Sequence, residues 1–257
     1  MERNCLGVVA AMPQEIAPLL RRLTGYRRET FGGFHLYRCV LQGIPVVLVE
    51  SGMGQKHAAA ATKALISHAA PSLIVNFGFA GAVQPGLGVG EMVIAERVLL
   101  LEQGRLARAT QPDQRLFDQV LEACAAAALT LHRGTFITAA GIMNKKEVAG
   151  LLPSGMPHPV LEMETAAVLL EAGQSGIPVV AIRGISDAAE DELGFSLEEF
   201  CDVQLRISPA RVLRCIAAKP WIIPQLVKLS GSSKKAGKKL ALYAELALKT
   251  LGTERRD

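Results

Sequence analysis

The chain has 257 residues, half of them hydrophobic and a fifth charged, which excludes a largely disordered protein and is typical of a compact α/β protein. Its formal net charge of +4 is unevenly distributed, because residues 1–207 carry 17 basic and 21 acidic side chains, whereas residues 208–257 carry 11 and 3. We therefore predict one main domain over residues 1–207 and a basic, apolar helical extension over residues 208–257.

Short β-rich runs alternate with helical stretches along the main domain. The predicted strands are 5–11, 34–41, 45–50, 73–77, 91–101, 134–140 and 178–185, and the predicted helices are 12–23, 55–69, 117–128 and 165–174. Strands that are apolar on both faces and alternate with helices indicate a mostly parallel sheet covered on each side. Ligands in such folds bind beyond the carboxyl ends of the strands.

The five cysteines are scattered and lack the close spacing of a metal site or a disulfide framework, which indicates free thiols in a reducing cytoplasm. No uncharged apolar run is long enough to cross a bilayer, and the first apolar stretch has no cleavage site of a signal peptide. We therefore expect a cytoplasmic protein.

Several acidic residues lie where predicted strands end. Asp187 follows an apolar strand directly, and Glu162 and Glu164 flank Met163 just before a helix. In an extended approach the two glutamates point to one side and the methionine to the other. Each carboxylate, Glu15 included, is equally typical of a helix cap or a charged first turn. Position alone leaves both interpretations open.

Common cofactor and nucleophile motifs are missing from the sequence. The glycine-rich run 86–90 precedes a strand rather than a helix, so it lacks the geometry of a dinucleotide loop. There is no Walker A lysine, no HExxH pair and no GxSxG elbow, and the five histidines show no metal-ligand spacing. We predict neither a cofactor nor a metal. The segment 78–81 does follow a strand, and its glycines either admit a ligand close to the backbone or simply form a turn.

Five segments taken in order resemble the nucleoside phosphorylase/nucleosidase superfamily, especially its methylthioadenosine/S-adenosylhomocysteine nucleosidases. They are Ala-Met-Pro-Gln-Glu at 11–15, Ser-Gly-Met-Gly at 51–54, Asn-Phe-Gly-Phe-Ala-Gly at 76–81, Glu-Met-Glu-Thr-Ala at 162–166 and Arg-Gly-Ile-Ser-Asp at 183–187. The resemblance implies a three-layer αβα sandwich around a mixed, partly barrel-like sheet. It also implies a homodimer that binds a small nucleoside.

The resemblance assigns a role to each carboxylate. Asp187 would protonate N7 of a purine, Glu164 would hold the ribose 2′-hydroxyl, and Glu15 would position and deprotonate the attacking water. Met163 would pack against the ribose, and the backbone around Met143 would receive the purine. The other substrate-binding positions it implies are Phe79, Ala80, Gly81, Ile142, Glu162 and Ser186.

Cleavage of an N-glycosidic bond by these carboxyl groups agrees with the general chemistry of glycoside hydrolysis. Glycoside hydrolysis uses one carboxyl group as a proton donor and another to activate water. As the proton donor, Asp187 needs surroundings that favour its protonated form, namely burial and nearby negative charge.

The nucleophile is less well determined by the sequence. Phosphorylases of the superfamily carry an arginine where this chain has Asn76, and Arg183 matches an arginine that nucleosidases share, which favours water. Phe79, however, stands where the nucleosidases have a serine near the water. A phosphate-dependent purine nucleoside phosphorylase and a non-catalytic nucleoside-binding protein therefore stay open as alternatives.

Two features bear on the 5′ substituent. The segment 96–116 is shorter than the nucleosidase segment that helps to cover the 5′ group, and Ile142 replaces an aromatic residue, so we expect an open site. In the tail, residues 208–257, two lysine pairs follow Trp221, and one helical face carries apolar residues. That face consists of Leu240, Tyr243, Ala247 and Leu251.

A basic, apolar tail is typical of a peripheral contact with the inner membrane face. Alternatively, the tail packs on the domain or on a dimer partner. Nucleic acid is not an expected partner, since aromatic residues do not interleave the basic ones. The open site and the tail together resemble the hopanoid-associated branch of the superfamily, which removes adenine from adenosylhopane. We predict that substrate, with methylthioadenosine/S-adenosylhomocysteine or futalosine nucleosidase activity as alternatives.

Overall fold

The computed structural model describes residues 5–23, 25–191, 200 and 209–253, so the predicted boundary at 207 lies outside the described residues. The strands are β1 (Leu6–Ala10), β2 (Arg27–Phe31), β3 (Phe34–Leu41), β4 (Ile44–Glu50), β5 (Leu73–Ala82), β6 (Met92–Glu102), β7 (Arg105–Arg108), β8 (Leu131–Ala139), β9 (Val160–Glu162) and β10 (Val179–Asp187). The helices are α1 (Pro13–Leu20), α2 (Gln55–Ala69), α3 (Gln114–Ala126), α4 (Lys145–Leu151), α5 (Thr165–Gln174), α6 (Pro209–Ala218) and α7 (Ile223–Thr253), with a 3₁₀ turn at Pro220–Ile222.

Elements with strong apolar patterns lie where the sequence predicts them. Helices α2 and α5 have the predicted bounds, and β3 and β4 form the predicted hairpin. The elements without a counterpart among the predicted ones include β2, β7 and α4. Strand β2 is a polar, largely exposed strand on the edge of the sheet, so it lacks the apolar alternation by which strands are recognised.

Part of the ten-stranded sheet closes into a ring of strands, and the rest extends from that ring as an open sheet. Strand β5 pairs in parallel with β1 and β10 and antiparallel with β9. Strand β10 continues to β6, β6 to β8, and β8 back to β9, which closes a ring of five strands. From β1 the sheet continues through β4 and β3 to β2. The predicted mixed, partly barrel-like sheet is confirmed.

Helices cover both faces of the sheet. Apolar residues of α2 and α5 form one buried cluster with it, and those of α1, α3 and α7 form another. The predicted three-layer arrangement is therefore confirmed. Across the described residues, no helix is both long and apolar enough to span a bilayer.

The second half of α7 belongs to this core. Leu240, Tyr243, Ala247 and Leu251 are buried against α1, α3 and the sheet, and the Tyr243 hydroxyl donates to the Thr130 carbonyl at 2.8 Å. Of the two interpretations of the tail, packing on the domain is correct for this face. A membrane contact through these four residues is wrong, because the sheet already covers them.

Candidate active site

Strand pairing brings the predicted carboxylates together. Strands β1, β5 and β10 are parallel neighbours, so their carboxyl ends lie at one edge of the sheet. Asp187 at the end of β10 pairs with Gly81 of β5, and Leu161 of β9 pairs with Gly81 from the other side. Glu15 follows β1, and Glu164 follows β9. Residues far apart in sequence therefore meet at one edge.

Glu15 is held in place by three backbone donors. Its Oε2 accepts from the N–H groups of Ala11 and Met12 at 2.8 and 2.9 Å, and its Oε1 accepts from that of Phe79 at 2.8 Å. The residue is only 2% exposed. Part of this geometry is the helix cap that the sequence allowed, because Glu15 is the third residue of α1 and reaches back to its start. The cap and the site thus use the same side chain.

Glu164 is the N-cap residue of α5, and its two oxygens differ in their surroundings. Oε1 accepts from the N–H of Gly54 at 2.8 Å, whereas Oε2 lies 4.0 Å from Nη2 of Arg183. Burial, with the charge of Glu162, raises the pKa of Glu164 to about 8, and Arg183 opposes that rise. Burial also raises the pKa of Glu15. Both carboxyl groups therefore bind a proton more readily than a solvated glutamate does.

Glu162 accepts hydrogen bonds from neighbouring protein groups. Its Oε2 accepts from Nη2 of Arg183 and Oγ1 of Thr165, each at 2.7 Å, and from the backbone N–H of Glu164 at 3.0 Å. Its Oε1 accepts from the hydroxyl of Thr138. These bonds fix Arg183 and the first turn of α5. A direct contact between Glu162 and the substrate stays a prediction.

Asp187 has a positive neighbour instead of the negative charge that the sequence argument expected. Nζ of Lys145 lies 2.7 Å from Oδ2 of Asp187 and also donates to the carbonyl of Ala188. The hydroxyl of Ser186 donates to Oδ1 at 2.7 Å. Gly81 gives the pair room, because a Cβ there would lie 2.7 Å from Oδ2.

The remaining positions that the resemblance assigns to substrate binding are Phe79, Ala80, Gly81, Ile142, Met143, Met163 and Ser186, all in segments at or next to this edge. Met143 packs in a small cluster with Val148 of α4. The ring of Phe79 is directed toward α7, since its Cζ lies 3.4 Å from where a Cβ of Gly237 would stand. Their contacts with a substrate stay predictions. In the part of the chain that the structure describes, no three His, Cys, Asp or Glu residues are grouped to hold a metal.

Comparison with known proteins identifies the family. The family model described as the phosphorylase superfamily matches residues 6–217. The chain belongs to the phosphorylase superfamily. Members similar to it in sequence include the 5′-methylthioadenosine/S-adenosylhomocysteine nucleosidases of Geobacillus kaustophilus (strain HTA426) and Haemophilus influenzae (strain PittEE). Each is 30% identical and covers 82% of this chain, and the match covers 95% and 98% of the respective relative.

Solved structures of the superfamily share the fold. Futalosine hydrolase of Helicobacter pylori strain 26695 matches with a TM-score of 0.75 at 16% identity, over 96% of this chain and 98% of that one. The 5′-methylthioadenosine/S-adenosylhomocysteine nucleosidase of Neisseria meningitidis, in complex with methylthio-immucillin-A, matches with a TM-score of 0.73 at 22% identity, over 96% and 99%. The predicted family and fold are confirmed.

Within this phosphorylase-superfamily fold, Asn76 is a buried structural residue. Its Nδ2 donates to the carbonyl of Val9 at 3.0 Å, and its Oδ1 accepts from Oγ1 of Thr165 at 3.1 Å and Nη2 of Arg183 at 3.0 Å. Both ends of the amide are therefore engaged by the protein.

Lys145 is not among the predicted site residues. Its position could have suggested a role, because this lysine follows closely on Ile142 and Met143, which the resemblance places beside the base. Nothing local, however, shows that its side chain reaches Asp187, 42 residues later.

Proposed function

We propose that the chain hydrolyses the N-glycosidic bond of a 5′-substituted adenosine and releases adenine. The observation that carries the proposal is the convergence of Glu15, Glu164 and Asp187 at one edge of the sheet. Asp187 gives a proton to N7, so the base leaves neutral, and Glu164 binds the ribose 2′-hydroxyl. Glu15 takes the proton of the attacking water, a role that suits a carboxylate with a raised pKa. The nucleosidase relatives support the same reaction.

Three features favour water over phosphate as the nucleophile. Arg183 is 1% exposed, and its Nη2 already pairs with Glu162 at 2.7 Å, although its buried Nε has no partner among the described residues. Asn76 is buried, and its amide nitrogen and oxygen both already bond to the protein. A phosphate would also have to enter beside the buried carboxyl groups of Glu15 and Glu164, which repel an anion when ionised.

The favoured substrate is adenosylhopane, taken from the cytoplasmic face of a membrane. The first support for this is an exposed apolar surface near the start of the tail. Leu213, Trp221, Ile223 and Val227 are all exposed, and Trp221 is 68% exposed. These side chains lie in α6, the 3₁₀ turn and the first turns of α7. Exposed aromatic and aliphatic side chains of this kind insert at a membrane interface.

The second support is the positive charge on the same helix. One open face of α7 is formed by Gly231, Lys234, Lys235, Lys238 and Lys239. Basic residues near a bilayer attract anionic headgroups, at about 1 kcal/mol for each Lys or Arg close to the surface. Charge and apolar side chains therefore favour the same partner.

The third support is the connection between this helix and the site. Nζ of Lys228 lies 2.5 Å from Oδ1 of Asp191, whose Oδ2 accepts from the N–H of Ala188 at 2.9 Å. Ala188 directly follows the proposed acid, Asp187. A nucleoside bound at the site therefore lies near the helix that we propose touches the bilayer.

Adenine release from several substrates tests the reaction. We expect release from adenosylhopane without phosphate. Turnover of methylthioadenosine or S-adenosylhomocysteine alone would refute the lipid substrate and support the second candidate, which the 30% identical relatives favour. Release that requires phosphate would identify a phosphorylase, and no release from any of them would favour a nucleoside-binding protein.

The membrane contact has a direct optical test, because Trp221 is the single tryptophan of the chain. We expect anionic vesicles to shift its fluorescence to the blue and to sediment with the protein, less so at high salt. Val227→Gln should weaken binding, whereas Val40→Gln, at another exposed apolar position in β3, should not. An unchanged spectrum with vesicles would refute the contact.

The homodimer implied by the resemblance is also proposed, and analytical ultracentrifugation tests it.

A further inference from the structure

Lys145 is bound to the proposed acid by more than a surface ion pair. It is the first residue of α4, and its Nζ contacts both Oδ2 of Asp187 and the carbonyl of Ala188. Its aliphatic stem passes close to Gly81, since a Cβ there would lie 3.3 Å from Cδ of Lys145. The side chain is only 14% exposed. Lys145 is therefore part of the site rather than a solvated lysine.

The hydrogen bonds of Asp187 engage both of its oxygens. Oδ1 accepts from the Ser186 hydroxyl, and Oδ2 accepts from Lys145. In its ionised form Asp187 has no O–H to donate, whereas a general acid must donate one. Some group next to Asp187 has to supply that proton, and the ammonium of Lys145, at 2.7 Å, is in contact with the oxygen that would carry it.

We propose that Lys145 supplies the proton that Asp187 passes to the leaving adenine, an inference that rests on the proposed function. As the bond from C1′ to N9 breaks, its electron pair moves into the purine and N7 takes a proton from Oδ2. Oδ2 takes a proton from Lys145, which becomes a neutral amine. Water forms the new bond to C1′ and gives its proton to Glu15. After product release, solvent reprotonates Lys145 and removes the proton from Glu15, so no further reactant is needed.

Two substitutions of Lys145 distinguish a role as proton donor from a role as a positive charge beside Asp187. Lys145→Ala removes both, whereas Lys145→Arg keeps a positive hydrogen-bond donor that does not give up its proton in proteins. We expect each to lower kcat on an adenosine substrate by about 100-fold or more, with little change in KM. Ethylamine should restore part of the kcat of Lys145→Ala. Lys146→Ala, at the exposed neighbouring position, is the matched control and should keep the wild-type kcat.

A second substrate tests for a merely structural role. A 4-nitrophenyl riboside with the same 5′ group has a leaving group that departs without protonation, so both Lys145 variants should cleave it at the wild-type rate. Wild-type kcat of Lys145→Arg on the adenosine substrate would overturn the proposal, and so would equal losses on the two substrates. If the wild-type protein releases adenine from no 5′-substituted adenosine, the proposed function fails and the role of Lys145 with it. An active wild type with an unaffected Lys145→Ala overturns the lysine role alone.

Discussion

Gly78 lies beside the carboxylate of Glu15, so an alanine at this position perturbs the proposed base without changing its chemistry. A Cβ at Gly78 would lie 2.8 Å from Oε1 and 3.3 Å from Cδ of Glu15. The other oxygen of Glu15 is held by the N–H groups of Ala11 and Met12, so the side chain cannot simply swing away. The methyl group therefore pushes Oε1 off the N–H of Phe79, which now donates to it at 2.8 Å.

The size of the effect follows from that lost hydrogen bond. A bond between a backbone N–H and a charged acceptor contributes about 1.5–3 kcal/mol, so we expect Gly78→Ala to lower the free energy of unfolding by about 2 kcal/mol. A misplacement of a catalytic group by about 1 Å costs about 100-fold in rate, so we expect kcat to fall by about 10- to 100-fold. Substrate binding should change much less, because Glu15 acts on the water.

Urea unfolding and adenine release measure the two effects. Gly150→Ala is the matched control, because no atom lies within 4 Å of a Cβ at that position in α4. It should leave kcat unchanged and raise the stability of the protein by up to about 1 kcal/mol, since alanine is the better helix former. If Gly78→Ala keeps both wild-type stability and wild-type kcat, the tight contact with Glu15 is refuted.

Three further predictions concern the acid, the buried glutamate and the last helix. Asp187→Asn should lose about 10²–10⁴-fold in kcat yet still bind substrate in a calorimeter, and near-normal turnover would refute the acid role. Because the pKa of Glu164 is raised from 4.5 to about 8 by burial, the wild type should lose stability relative to Glu164→Gln as pH rises between these values. The loss is at most about 1.4 kcal/mol per pH unit, and parallel stability curves in urea would contradict it. Gly252→Ala should lower the free energy of unfolding by about 1–3 kcal/mol, since its Cβ would lie 2.4 Å from Ile44. The control is Gly231→Ala in the same helix, which should not show this loss because its Cβ would meet no atom within 4 Å. Equal unfolding midpoints for these two variants would argue against the packed position of α7.

Local patterns in the sequence predict most of the helices and strands. Helix α2 is the clearest case, because its alanine-rich run follows two glycines with φ of +82° and +91° that turn the chain out of β4. Strand β5 was predicted only to residue 77, since the glycines that follow resemble a turn. In the structure β5 continues to Ala82, because β10 and β9 pair with this stretch on both sides. The pattern of one strand does not contain that information.

The tail, residues 208–257, is a second case in which the sequence pattern does not decide the packing. A helix with one apolar face must cover that face, but the pattern is the same whether a membrane or a protein core covers it. The sequence therefore left both interpretations open for Leu240 and its neighbours. The structure buries that face in the core, and it leaves exposed the apolar side chains of α6 and the start of α7.

By itself the sequence predicted strands apolar on both faces that alternate with helices, since these patterns depend on neighbouring residues or on short spacings, and its resemblance to the superfamily pointed to the αβα sandwich and to the three acidic residues. Only the tertiary structure decided what each acidic residue contacts. It engaged Glu162 with Arg183, held Glu15 with three backbone donors, and placed Lys145 against Asp187. These contacts join residues that are mostly distant in the chain. They depend on which strands pair and in what register, and periodicity reports only which side of a strand or helix is buried.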